Sequence, residues 1–205
     1  MELSLELARG FVQKILENPL GLSWSVQGLG MLRLYLDKGQ RYRLHIWDSS
    51  LRVPNVSPIH DHPWHLKSFI VAGVLEQKRY HIGGITSAVS YVAGCDDALP
   101  SEILQMSFIK CGEGACTKTE PIAMKAYDRG LEVYTPGQSY SQFKDEVHES
   151  MAKDGTVTIV DRTFTADRDT ARVFWRGNGG WVDAAPRRAT DREVLRVTQR
   201  ALEGF

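Results

Sequence analysis

His60 and His62 stand two residues apart in SPIHDHPWHLKSFIVAGVLE, the stretch from Ser57 to Glu76. Alternate residues of a β-strand point to one face, so both imidazoles can reach a single point while Asp61 turns to the other side. Imidazole suits iron, zinc, copper and nickel alike, and the pair reads as two metal ligands on one strand. Pro58 and Pro63 bracket it, and a residue without a backbone N–H is expected at the edge or mouth of a sheet. A third histidine, His148, lies in DEVHES, after the turn-like TPGQSY and before the strand-like TVTIV. Three histidines from two facing hairpins leave coordination positions open, which is a catalytic arrangement rather than a closed structural one.

The elements that must position these groups follow from periodicity. Ser68 to Leu75 reads as a buried strand with a turn at Gly73, and Glu76 to Tyr80 as its returning partner. Upstream, LSWSVQ, MLRLYL and RYRLHIW are strand-like, with Gly28, Gly30 and Lys38-Gly39 between them. In MLRLYL, Arg33 and Tyr35 share one face and Leu32, Leu34 and Leu36 the other. An Arg33 that faces inward needs an anion, which a substrate carboxylate would supply bidentately; an outward Arg33 is solvated. Arg41 and Arg43 alternate in the same way and are weaker candidates for that task. His45 reads as a structural histidine. His65 has the wrong parity relative to His62 and should face away unless Pro63-Trp64 bulges the chain; Trp64 could wall the pocket instead.

Residues 3–17 read as a helix with Leu3, Leu7, Phe11 and Ile15 as its apolar stripe. The C-terminal stretch from 186 reads as a second helix, capped by Thr190 or Asp191 with Glu193 in capping-box order, and Val194, Leu195, Val197 and Leu202 on its apolar face. Residues 82–101 have weak periodicity and many small side chains and read as an insertion. Tyr140, between the Pro136-Gly137 turn and His148, could line the cavity. The glycines of RGNGG, near residue 178, lack the strand-to-helix context of a phosphate-binding turn, so no nucleotide role is assigned.

Composition narrows the function classes. The 205 residues carry 25 Lys+Arg and 25 Asp+Glu, so nothing favours a nucleic acid or an anionic membrane as partner. Cys95, Cys111 and Cys116 are too few for a disulfide framework; Cys111 and Cys116 flank GEGA and could be close enough to bridge, but reduced thiols are the default. The beginning, MELSLELARG, is acidic and amphipathic rather than signal-like, and no apolar run approaches the roughly 20 residues needed to span a bilayer. A cytoplasmic protein is the expectation.

HxH, a hydrophobic strand turning at glycine, then Pro-Gly and a later histidine resembles the two motifs of the cupin superfamily. Where the usual first motif carries a glutamate ligand, this chain has Leu66, so the resemblance implies a three-histidine site of His60, His62 and His148. SPIHDH, the spacing from His62 to Gly73, and VLEQKRY are similar to the thiol dioxygenases, which also lack that glutamate. Within RLYLDKGQRYRLHIW, Arg33 matches the place where those enzymes carry an arginine that grips the substrate carboxylate. The chain departs from them at the Ser-x-His-x-Tyr relay, where Thr158, Val160 and Arg162 stand.

The expected fold is therefore all-β: one cupin-type double-stranded β-helix, or jelly-roll barrel, in a single domain over 1–205. Residues 1–18 form the N-terminal helix, 22–176 the barrel and 186–205 the C-terminal helix. The resemblance implies a mononuclear non-haem Fe(II) dioxygenase that uses O2 on a small thiol carboxylate, with Arg33 and Tyr140 as candidate catalytic groups. Homodimers are common in the superfamily, and both helices have faces to offer. Two alternatives stand beside this. One is an isomerase or hydrolase holding zinc, manganese or nickel, with His65, His81 or Glu146 as base; the other is a non-catalytic binding protein.

Overall fold

Alternation of side chains along each strand separates the molecule into layers. A computed structural model of the chain describes residues 4–84, 100, 102–111, 116–164, 170–177, 181–182 and 184–205. The central part of the expected insertion, most of RGNGG, and Leu3 lie outside the described residues. The elements are α1 (Leu5–Glu17), β1 (Ser25–Gln27), β2 (Leu29–Tyr35), β3 (Tyr42–Arg52), β4 (Ile59–His60), β5 (Trp64–Ala72), β6 (Leu75–Gly84), β7 (Glu102–Cys111) and β8 (Cys116–Lys118). They continue with β9 (Ile122–Tyr134), β10 (Ser139–Gln142), β11 (Val147–Ala152), β12 (Val157–Phe164), β13 (Ala171–Arg176), β14 (Arg187–Arg188) and α2 (Asp191–Leu202).

The first sheet runs β10-β5-β12-β3-β2-β1-β14, all antiparallel. Leu32, Leu34, Leu44 and Ile46 lie on one face of it and pack with Ala8, Val12 and Leu16 of α1 and Val194, Val197 and Ala201 of α2. Because β-strand parity is two, Arg33, Tyr35, Arg43 and His45 necessarily occupy the other face. The register sets Arg33 beside His45 and His45 beside Thr158, which carries this polar row across three strands.

The second sheet runs β13-β4-β11-β6-β9-β7-β8, and β13 also pairs with β7. That extra pairing closes six antiparallel strands into a barrel. Ile59, Tyr80, Leu104, Met106, Ala126, Val147 and Phe174 form one buried cluster within it. His60 and His148 alternate with Ile59 and Val147 and so face outward from the barrel, on the side where His148 meets Gln142 of the first sheet. Met31, Trp47 and Ile70 of the first sheet pack there against Leu75 of the second.

Three local expectations need correction. The apolar stripe of α1 is only in part the one on which the helix packs, Ile15 alone of its described members meeting the core. Ala8, Val12 and Leu16 are buried, while Leu7 and Phe11 are 66% and 49% exposed. The small Ala8 lets the helix approach its neighbours, a preference invisible to a count of large apolar residues. The His60 strand is not at an edge, since β4 lies between β13 and β11. It is only two residues long, so Pro58 and Pro63 fall outside the ladder and withhold no bond from it. Third, the thiols are not all reduced: Cys116 is disulfide-bonded, and the β7–β8 register sets it opposite Cys111. Helix α2 begins as expected, with Thr190 as N-cap and Glu193 completing a capping box, although Leu195 is exposed. Among the described residues no helix is long and apolar enough to cross a membrane.

Candidate metal centre

His148 and His60 are direct partners in the β11–β4 ladder. His62 follows two residues after His60, beyond the strand end, and Asp61 fixes that corner. The Asp61 carboxylate is fully buried, accepts from Arg172 N at 2.7 Å and pairs with Arg172 Nε at 2.5 Å. Asp61 N donates in turn to Arg172 O, and Asp145 N to His62 O. With Asp61 held on one side, the two histidines point to the other, as the spacing predicts.

The rings converge. Centroid separations are 4.8 Å for His60–His62, 4.5 Å for His60–His148 and 5.2 Å for His62–His148. One nitrogen from each lies within 4.8 Å of the others, which is a donor set that could hold a metal ion. His60 Nδ1 lies 2.9 Å from Pro58 O, so its N–H donates there and the Nε2 lone pair is left for a cation. His148 Nδ1 lies 3.4 Å from Glu146 O and against Gln142 Nε2, an amide nitrogen that also donates to Glu146 O while Gln142 Oε1 accepts from Gln77. Burial lowers the pKa of all three, and for His62 the neighbouring His60 and His148 add to it. Neutral imidazoles at neutral pH are the form a metal requires. Three neutral nitrogen donors fit a borderline transition metal and not calcium or magnesium.

A second constellation adjoins the first. Trp64 stacks on His62, with centroids 5.2 Å apart and planes at 18°. The same indole lies under two guanidiniums, Arg162 at 4.9 Å and Arg43 at 5.4 Å. Arg33, Arg43 and Arg162 surround one further ring, with Cζ atoms 4.8, 5.0 and 5.7 Å from the Tyr35 centroid. Arg33 Nε donates to Ser25 Oγ at 3.1 Å, and with the Gln27 amide turned to present its oxygen both Arg33 Nη atoms lie 3.2 Å from it. Arg43 Nη2 donates to Tyr35 Oη at 3.2 Å. Arg162 Nη2 donates to Gln40 O. Arg33 and Arg43 have no carboxylate partner among the described residues.

Burial lowers Arg33, pushes Arg43 down to about 9 with help from the facing Arg162, and pushes Arg162 down to about 10 against the pull of Tyr35. Each stays charged at neutral pH, and an uncompensated buried guanidinium costs several kcal/mol. Four buried polar atoms on the inner face of β3 and β5, Arg43 Nε, His45 Nε2, Trp47 Nε1 and Ser68 Oγ, have no hydrogen-bond partner among the described residues.

The remaining candidates lie elsewhere. Tyr140 shares a strand face with Gln142, but its ring packs on Tyr134 at 4.7 Å in the cluster with Met31, Trp47 and Ile70. Burial pushes its phenol up to about 12. Arg41 is exposed and paired with Asp161. His65 Nδ1 accepts from Lys144 N, and its ring meets Phe143, as its parity predicts. His81 sits against Tyr127 at 5.9 Å. Glu146 is tied to Arg79 and to Phe143 N. Periodicity could have united Arg33 and Arg43, which share strand parity, but Arg162 joins them only through the register of β12 on β3 and β5. No protein-family model matches the sequence, and no curated protein matches it.

Proposed function

We propose that this chain is a cupin-type metalloenzyme, a mononuclear non-haem Fe(II) dioxygenase that acts on a small carboxylate, with thiol carboxylates as the first candidates. The observation that carries the reading is the convergence of His60, His62 and His148, three neutral imidazoles with one nitrogen of each within 4.8 Å of the others, the His60 ring being held through its other nitrogen by the Pro58 carbonyl. Bound iron(II) would supply the one-electron chemistry through which O2 reacts with a closed-shell substrate. The chain's own residues do the rest. The Pro58 carbonyl holds the His60 ring, and the Asp61–Arg172 pair holds the corner that aims His62. Trp64 covers His62 and excludes water from that side. Arg33 and Arg43 bind the substrate carboxylate and orient its other end toward the histidines.

The relay positions of the thiol dioxygenases are filled differently here. Thr158 and Arg162 share the face of His45 and Arg43, and Val160 lies between them. An isopropyl group moves no proton and a guanidinium holds its own. This favours, as a second reading, a metal-dependent isomerase or hydrolase with zinc, manganese or nickel.

Metal analysis of protein purified without oxygen separates the two. The first reading expects stoichiometric iron that is lost in His148→Ala, and O2 uptake with cysteine or 3-mercaptopropionate. Stoichiometric zinc, manganese or nickel without O2 uptake would replace it with the second. Protein that takes up no metal even on reconstitution would end both.

A further inference from the structure

The arginine cluster specifies more than a carboxylate. We infer that the group bound opposite the histidines is a dianion, a phosphate monoester or a pair of carboxylates, clamped between Arg33 and Arg43 with Arg162 at its flank. This rests on the metal site of that reading and narrows its small carboxylates to those that carry a second negative charge at the arginine end.

A single carboxylate brings one negative charge, and a bidentate fork to one guanidinium would satisfy it. Arg43 is buried and Arg33 half-buried, and neither has a carboxylate partner among the described residues. Their partners are the neutral Ser25 Oγ, Gln27 amide and Tyr35 Oη. Both guanidiniums lie near the Tyr35 ring, 4.8 and 5.0 Å from its centroid. Aromatic faces attract cations but do not neutralise them. Arg162, the third cation here, has the Asp37 carboxylate acting on it, so the two guanidiniums without a carboxylate call for two negative charges. Arg43 is 9% exposed, and its Nε has no acceptor, so a donor on the more buried arginine is ready for a ligand oxygen.

Position sets the size of the ligand. Arg43 lies over the Trp64 ring, and Trp64 stacks directly on His62. One indole therefore separates the anion clamp from the metal ligands, and the molecule that spans them has a reactive group only a few bonds from its dianionic end. A long-chain or polymeric substrate does not fit this description.

The test is calorimetric titration of the metal-free full-length protein with inorganic phosphate, succinate and acetate, in parallel with a metal titration. Phosphate or succinate should bind at least tenfold more tightly than acetate, and phosphate against succinate distinguishes the two sources of the charge. Arg43→Met should weaken the dianion at least tenfold while metal uptake stays stoichiometric. Should that variant not fold, the thermal midpoint of the unaltered protein gives the same answer, because a ligand that binds only the folded state raises it with concentration. Equal effects of acetate and the dianions, or no effect of any of them, would overturn the inference. Metal binding without a dianion preference refutes this inference alone, and dianion binding without metal uptake refutes the three-histidine reading alone.

Discussion

His60 and His148 are cross-strand neighbours, with ring centroids 4.5 Å apart on the same side of the β4–β11 ladder. A ladder pair is held by two backbones rather than by flexible side chains, so the two donors are positioned before any ion arrives. His62 completes the set from beyond the strand end. Replacement of either ladder histidine by alanine should therefore abolish stoichiometric metal uptake, and His62→Ala should weaken it strongly. Added metal should raise the thermal midpoint of the unaltered protein and leave that of His148→Ala unmoved, which calorimetry with and without metal would check.

Asp61 is the reason that His60 and His62 share a direction. Its carboxylate is fully buried and takes both a backbone N–H and the Nε of Arg172, whose own side chain also reaches Asp145 O. Removing the Asp61 carboxylate takes the acceptor from Arg172 N and from a partly exposed guanidinium, which costs about 1–3 kcal/mol. Asp61→Ala should lose that much in urea unfolding. Asp61→Asn, which keeps the shape and one acceptor, should lose less, but both should lower metal affinity because the corner that aims His62 loosens.

The parts of this arrangement that depend on local parity were legible from the sequence. The i, i+2 spacing predicts convergence of His60 and His62, although the strand itself ends at His60, and alternation in MLRLYL separates Leu32/Leu34 from Arg33/Tyr35. The parts that depend on register were not. Arg162 meets Arg43 because β12 pairs with β3, and Asp61 meets Arg172 because β13 flanks β4. Neither pairing leaves a trace in nearby residues. The α1 face is not legible for a different reason: side-chain size does not decide burial, and close packing selects Ala8 and leaves Leu7 outside.

Gly73 joins the strand of Trp64 to the returning β6, and its backbone is left-handed, with φ at +79°. A Cβ at this position would lie 2.4 Å from Thr156 Oγ1 and 2.6 Å from Thr156 Cα. Thr156 Oγ1 both accepts from Val74 N and donates to Val74 O, so it is not free to retreat. Gly73→Ala should destabilise by about 1–3 kcal/mol from the backbone alone, with the clash in addition. The decrease would be read from the urea midpoint, and an unchanged midpoint would mean that the hairpin is looser than this close approach implies.

His45 makes the arginine interior sensitive to acid. It is buried on the face that carries Arg33 and Arg43, and desolvation, followed by the charges of Arg43, Arg33 and Arg162, holds its pKa well below 6.5. His62 is the other titratable neighbour on which its charge acts. In the unfolded chain the imidazole titrates near its ordinary value, roughly 6.5. As pH falls through that value, the unfolded state takes up a proton that the folded state refuses, so stability falls with pH; above it both states are neutral and the effect is absent. His45→Gln removes this proton. Between about pH 7.5 and 5.5 the variant's unfolding free energy should fall less steeply than that of the unaltered protein, as measured by urea unfolding of both without metal. Equal slopes would mean that His45 is protonated in the folded state, and that an anion compensates the charges around it.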